Sequence, residues 1–205
     1  MIIIIIMSSD VFLLPQNILM SSYSAQFLNN CCNELQINGE KPDISFRQNG
    51  YLFLASEKGK EILETNHQTQ QKCGVDWIDL LTPEQLDIKF PWLLTAGLSL
   101  GSFSSRNEGY FDPWSLVNAF KKKAINLGVE YMEGEVVNSA LSHRGSSSVY
   151  IDKITVKAKS KNDRDEIFTV SAGNYVNACG AWAGRLMDTI RNSSSNPLSQ
   201  SGKIK

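Results

Sequence analysis

Residues Asn174–Leu186 read NYVNACGAWAGRL: an apolar run, a glycine, and at once the pattern of a helix. The run NYVNAC predicts a strand over 174–179 of the kind buried in the middle of a sheet. Ala181 to Arg191 reads as a helix. A strand that breaks at a glycine into a helix presents unpaired backbone N–H groups where a phosphate can meet them. The small residues Ala178, Cys179 and Gly180 let a flat or phosphorylated ligand approach the backbone closely. Alone the junction is ambiguous, because many α/β proteins pack a strand on a helix through Ala and Gly. The G-x-G-x-x-G turn that usually accompanies it occurs nowhere in the 205 residues.

Working outward, Pro15 to Leu35 carries apolar residues in steps of four, at Leu19, Tyr23, Phe27, Cys31 and Leu35, which predicts one apolar helix face. Residues 44–55 contain two β-prone runs around Asn49-Gly50 and predict a hairpin turning there. Ser56 starts a helix that Gly74 closes. Thr82-Pro83 opens a short one that Pro91 stops, and 97–104 is strand-like. The clearest start signal lies in EGYFDPWSL (108–116), where Asp112 can cap and Pro113 suits the first helical position. Leu116, Phe120, Ala124 and Leu127 form its expected buried stripe. A strand over 129–137 and a hairpin of 148–158 with 166–172 follow, and the mixed-charge run 159–166 reads as the hairpin tip.

The predicted fold class is mixed α/β. The chain leaves one layer after residue 36, crosses an antiparallel layer over 37–111, and returns to an α/β segment over 112–191. A polar tail occupies 192–205.

A net charge of −1 gives no reason to expect nucleic acid as a partner. Lys121 to Lys123 reads as the solvated face of a helix. Cys31, Cys32, Cys73 and Cys179 lack C-x-x-C spacing and the only histidines, His67 and His143, lie far apart, so no metal site is expected. Free thiols in a chain of this size fit a reducing compartment. The run MIIIIIM is too short to span a membrane and lacks the charges of a leader peptide, so no transmembrane segment is expected.

Side-chain catalysts are not evident. Both histidines read as surface residues. Glu108 and Asp112 are four apart, but Asp112 is a cap, which argues against an acid–base pair. Cys179 precedes a helix start, where a thiolate would be stabilised, yet a cysteine ending an apolar strand reads as a small core residue. No catalytic residue is assigned, which suits an enzyme whose cofactor carries the chemistry.

The segment EGYFDPWSLVNAFKKKAINLGVEYMEGEVV (108–137), followed after the hairpin by YVNACGAWAG (175–184), resembles the glycine oxidase/sarcosine oxidase type of FAD-dependent amine oxidoreductase. GYLFLASEKG (50–59) and LTPEQL with FPW (81–92) extend the resemblance, which covers residues 14 to 191. It implies a Rossmann-like FAD domain interleaved with an antiparallel-sheet substrate domain, FAD as cofactor, and a small amine or amino acid as substrate. Val136 then stands where the family's backbone faces the adenine. Ala178, Cys179 and Gly180 stand at the turn near the FAD phosphates and ribityl chain, with Trp182 as a wall beside them. Tyr51 and Tyr110 are placed to line the substrate side.

The family's glycine-rich turn and flavin-closing segment have no counterpart here. The resemblance therefore implies that MIIIIIM is a start within a longer protein, and that this chain alone binds FAD weakly or not at all. One mitochondrial branch of the family is linked to assembly of respiratory complex I. That implies a mitochondrial location and complex I subunits as partners. Three readings stay open: an amine-oxidising enzyme, an assembly or interaction protein without turnover, and an inactive truncated product.

Overall fold

The structure, a computed structural model, describes residues 14–104, 106–144, 148–159 and 165–192. The N-terminal isoleucine run, most of the expected hairpin tip and nearly all of the polar tail lie outside the described residues. The fold is mixed α/β with two antiparallel sheets, and the chain divides into compact units at Met1–Val129 and Glu130–Lys205.

In the first unit, helix α1 (Pro15–Glu34) opens on a proline that fits its first turn. Its buried residues are Ile18, Ala25, Leu28 and Cys31, whereas Leu19 and Tyr23 of the expected stripe are 55% and 71% exposed. The reason is geometric. At 3.6 residues per turn, each step of four overshoots by ~40°, so a five-member series drifts most of the way to the opposite face. Cys31 and Leu28 join Leu35, Ile44, Phe111 and Ala119 in the main core cluster.

Strand β1 (Tyr51–Ala55), helix α2 (Glu57–Lys72), strand β2 (Ile78–Leu81), helix α3 (Pro83–Lys89) and strand β3 (Leu100–Ser104) follow. The sheet order is β1-β3-β2, all antiparallel, with Phe53 and Leu80 both opposite Ser102. Ser56 stands at the N-cap of α2 but its side chain makes no capping bond; Gly74, at φ +83°, ends the helix. Helix α3 has the full capping box: Thr82 N–H donates to Gln85 Oε1 (2.9 Å) and Gln85 N–H to Thr82 Oγ1 (3.4 Å).

The predicted hairpin at Asn49-Gly50 does not form. Arg47 bridges Tyr110, and Tyr51 pairs with Ser104, so both runs face the same segment, residues 100–111. Gly50 takes φ +73° and donates its N–H to the Glu108 carbonyl (3.1 Å). The Asn-Gly pair supplies the positive φ that hairpin turns need, but here it bends one extended segment instead of reversing it.

Helix α4 (Pro113–Asn126) starts as its sequence predicts: the Asp112 carboxylate accepts from Trp114 N–H (3.0 Å) and from the Ser115 hydroxyl (2.7 Å). Its buried contact is Ala119, flanked by partly buried Leu116. Phe120 and Leu127 of the expected stripe are 47% and 71% exposed, although Phe120 stacks on Phe27 at 5.6 Å.

In the second unit, strands β4 (Gly134–Arg144), β5 (Ser148–Lys159) and β6 (Asp165–Val170) form an antiparallel meander. The strand predicted from residue 129 begins only at Gly134. There a β-carbon would lie 2.7 Å from Val156 Cγ1 and 2.8 Å from the Lys157 carbonyl oxygen, so glycine fits the ladder's end closely. The register shifts between Val136 and Asn138.

Residues 174–179 are not a strand. A strand needs a ladder partner, and none lies beside this run among the described residues. Val176 is exposed. The Tyr175 hydroxyl instead accepts from Ala172 N–H (3.0 Å) and lies within 3.1 Å of the Asp152 carbonyl. A 3₁₀ turn (Gly180–Trp182) leads into helix α5 (Ala183–Arg191).

Candidate functional site

The turn after residue 176 is built by one side chain. Asn177 accepts from Cys179 N–H at Oδ1 (3.2 Å) and donates from Nδ2 to the Ala183 carbonyl (3.1 Å), clamping both ends of the bend. Gly180 adopts φ +52°, and a β-carbon on it would meet nothing within 4 Å. At this position glycine answers to backbone conformation rather than to crowding. Trp182 N–H closes the turn on the Cys179 carbonyl (2.9 Å).

Between this turn, α5 and the start of β4 lies a cleft of about 340 Å³. Val136, Cys179 and Trp182 line it together with Arg185, Leu186 and Thr189 of α5. Three of the five residues singled out from sequence thus come together. Ala178 and Gly180 flank Cys179 on the turn without lining the cleft. Cys179 is exposed, not the core residue its sequence context predicts, because the run that precedes it is not buried in a sheet.

Trp182 presents an indole 68% exposed, with Leu186 and Thr189 four and seven residues on, which places them along one helix face. Arg185 pairs with Glu135 on β4 (3.2 Å), both side chains being largely solvent-exposed. Asn177, Glu135, Arg185 and Thr189 are the site residues that sequence reasoning missed. The helical spacing from Trp182 points to Thr189; nothing local pointed to Glu135. The cleft offers a flat ring, a guanidinium paired with a carboxylate, a thiol and a hydroxyl, with Val136 and Leu186 as its apolar lining.

Glu108 is only 8% exposed, and burial pushes its carboxyl up to about 7, partly offset by the Tyr51 backbone N–H and the Ser104 hydroxyl. Sequence spacing gave no sign of this burial. The Tyr51 hydroxyl donates to the Gly109 carbonyl (2.9 Å), and burial, then the charge of Glu108, raises its pKa. Tyr51 is therefore tied to the Glu108–Gly109 backbone, while Tyr110 is about one-third exposed. His67 is half-buried, with its Nδ1 enclosed and unpartnered, and so departs from the surface residue expected. The His143 side chain lies outside the described residues. No group of three or more metal-ligating His, Cys, Asp or Glu side chains occurs among the described residues, and no described helix is long and apolar enough to cross a membrane.

With this fold and cleft, the chain belongs to the FAD dependent oxidoreductase family, whose profile matches residues 8–201. It is similar to FAD-dependent oxidoreductase domain-containing protein 1 of Xenopus laevis, at 40% identity over 181 residues, covering 85% of this chain and 36% of that protein. The chain thus spans little more than a third of that relative's length. Among solved structures, L-proline dehydrogenase from P. horikoshii superposes with a TM-score of 0.65 at 24% identity, over 92% of this chain and 43% of the other. Glycine oxidase from Geobacillus kaustophilus gives 0.59 at 22% identity, over 89% and 44%. At these identities the superpositions establish a shared fold.

Proposed function

We propose that this chain is part of a flavoprotein that oxidises small amines or amino acids, and that the Val136–Cys179–Trp182 cleft is one wall of its FAD crevice. The observation that carries the reading is the convergence of Val136 with Cys179 and Trp182, from a turn some forty residues later, on one cleft; each stands at a position the family resemblance assigns to FAD. The donor set fits the nucleotide half of FAD. Trp182 offers a face for a flat ring, Arg185 a cation for a diphosphate, and the exposed Cys179–Gly180 turn backbone at close range. When bound, FAD would supply the acceptor for the hydride that leaves the carbon bearing the amine nitrogen. In this reading the residues of this chain bind and orient the cofactor.

An amino-acid substrate is favoured by the names of the two structural neighbours, a proline dehydrogenase and a glycine oxidase. The test is to exchange this chain for the matching segment of the Xenopus relative and reduce the flavin anaerobically with sarcosine, dimethylglycine, glycine, L-proline and D-amino acids. Bleaching by one of them supports amine oxidation. Unaltered flavin, together with co-purification of respiratory complex I subunits, supports the assembly reading instead. A mitochondrial location is part of the same proposal and is checked by organelle fractionation.

A further inference from the structure

A cavity of about 40 Å³ lies in the first unit between α1, the end of α2 and the Asn107–Glu108 turn. A water molecule needs roughly 10–15 Å³ of such space, so there is room for one water-sized ion with a water or two beside it. Its polar lining comprises Ser21, Ser22, Gln70, Asn107 and Glu108, with the indole of Trp77 among the apolar walls. We propose that this cavity binds a monovalent cation of ammonium's size. The proposal is independent of the FAD reading, because the cavity belongs to the other unit.

Two polar side chains in the lining, Gln70 and Glu108, are each only 8% exposed. The Gln70 carboxamide has no hydrogen-bond partner among the described residues, although it is buried against the cavity. A ligand in the cavity would offer it a partner. Glu108 has no ion-pair partner among the described residues. Among the described residues no Lys or Arg lines the cavity, and Arg106, two residues away, is committed to Asp76 (3.1 Å) and to the Trp77 ring.

The turn that delivers Glu108 is itself built. Asn107 takes φ +61°, uncommon for a non-glycine residue, and its N–H donates to Gln48 Oε1 (2.7 Å) while Oδ1 accepts from Asn29 (3.3 Å). Serine hydroxyl, carboxamide and carboxylate oxygens are the acceptors an ammonium ion or a potassium ion seeks, and an indole face adds cation–π attraction. One carboxylate balances one positive charge. Divalent ions are disfavoured because no second acidic side chain among the described residues lines the space.

The test is thermal unfolding of the full chain at about pH 8, where Glu108 is mostly ionised, with ammonium chloride, potassium chloride or choline chloride added at equal ionic strength. Ammonium or potassium is expected to raise the Tm saturably, and choline, too large for the cavity, is expected not to. The lower midpoint of the two small ions identifies the preferred occupant. Glu108→Gln, which keeps shape and removes charge, should abolish the saturable rise, and Gln70→Leu should shift its midpoint about tenfold upward, the equivalent of one lost hydrogen bond. An equal rise with choline, a rise retained in Glu108→Gln, or no rise with either small ion overturns the proposal.

Discussion

Gly109 lies against the carbonyl of Arg47 so closely that a β-carbon on it would sit 1.9 Å from that oxygen. The two segments are locked there by a reciprocal pair of bonds, Arg47 N–H to the Tyr110 carbonyl (2.8 Å) and Tyr110 N–H to the Arg47 carbonyl (3.0 Å). The glycine of EGYFDP is thus fixed by close backbone approach. Gly109→Ala must open this contact and is expected to cost about 3 kcal/mol or more, at the upper end of overpacking effects. Urea unfolding measures it, and a loss under about 1 kcal/mol would contradict the packing described.

Glu108 makes the first unit pH-sensitive. Folding raises its carboxyl from the ordinary 4.5 to about 7, so the folded state binds more protons than the unfolded chain between those values. Its contribution therefore favours folding at low pH and is lost as pH rises through that window. By linkage the loss is about 3 kcal/mol in buffers free of ammonium and potassium. Glu108→Gln should flatten this slope. The same slope in wild type and variant, followed by urea unfolding across the window, would assign it to other groups.

Leu86 and Gly101 are expected to couple. Leu86 is fully buried, and a β-carbon on Gly101 would come within 2.8 Å of its Cδ2. Leu86→Ala should cost roughly 2–5 kcal/mol, as buried leucine truncations do. Gly101→Ala should be destabilising alone but less so, or even favourable, on the Leu86→Ala background, where the added methyl enters vacated space. Additive effects in a double-mutant cycle would contradict that contact.

Arg185 and Glu135 form an exposed pair, and exposed pairs contribute about 0–1 kcal/mol. Arg185→Ala is expected to leave unfolding nearly unchanged while weakening ADP binding measured by calorimetry. Equal ADP binding in the variant would remove Arg185 from the nucleotide site.

Local chemistry was legible in the sequence wherever the signal and its consequence lie within a few residues. Asp112-Pro113 and Thr82-Pro83 open helices as read, because a cap acts on the N–H groups next to it. The hairpin of β5 and β6 followed from alternation alone. Asn49-Gly50 misled because its backbone freedom is real, while the partner of both flanking runs lies some fifty residues downstream. Tyr175–Cys179 misled for the complementary reason: apolarity marks a surface that needs covering, but the ladder partner is not local. The cleft was half legible. Val136, Cys179 and Trp182 were reached through the family resemblance, whereas Arg185 and Glu135 meet only when α5 docks on β4.

The central claim, that this cleft is a wall of the nucleotide site, is tested most directly by NMR titration of the ¹⁵N-labelled chain with ADP, the half of FAD the cleft fits. The account predicts shifts concentrated at the Trp182 indole, the Cys179–Ala181 amides, Val136 and the Arg185–Thr189 face of α5. Shifts confined to the first unit, or none at ADP concentrations up to about 10 mM, an affinity limit of roughly −3 kcal/mol, would contradict it.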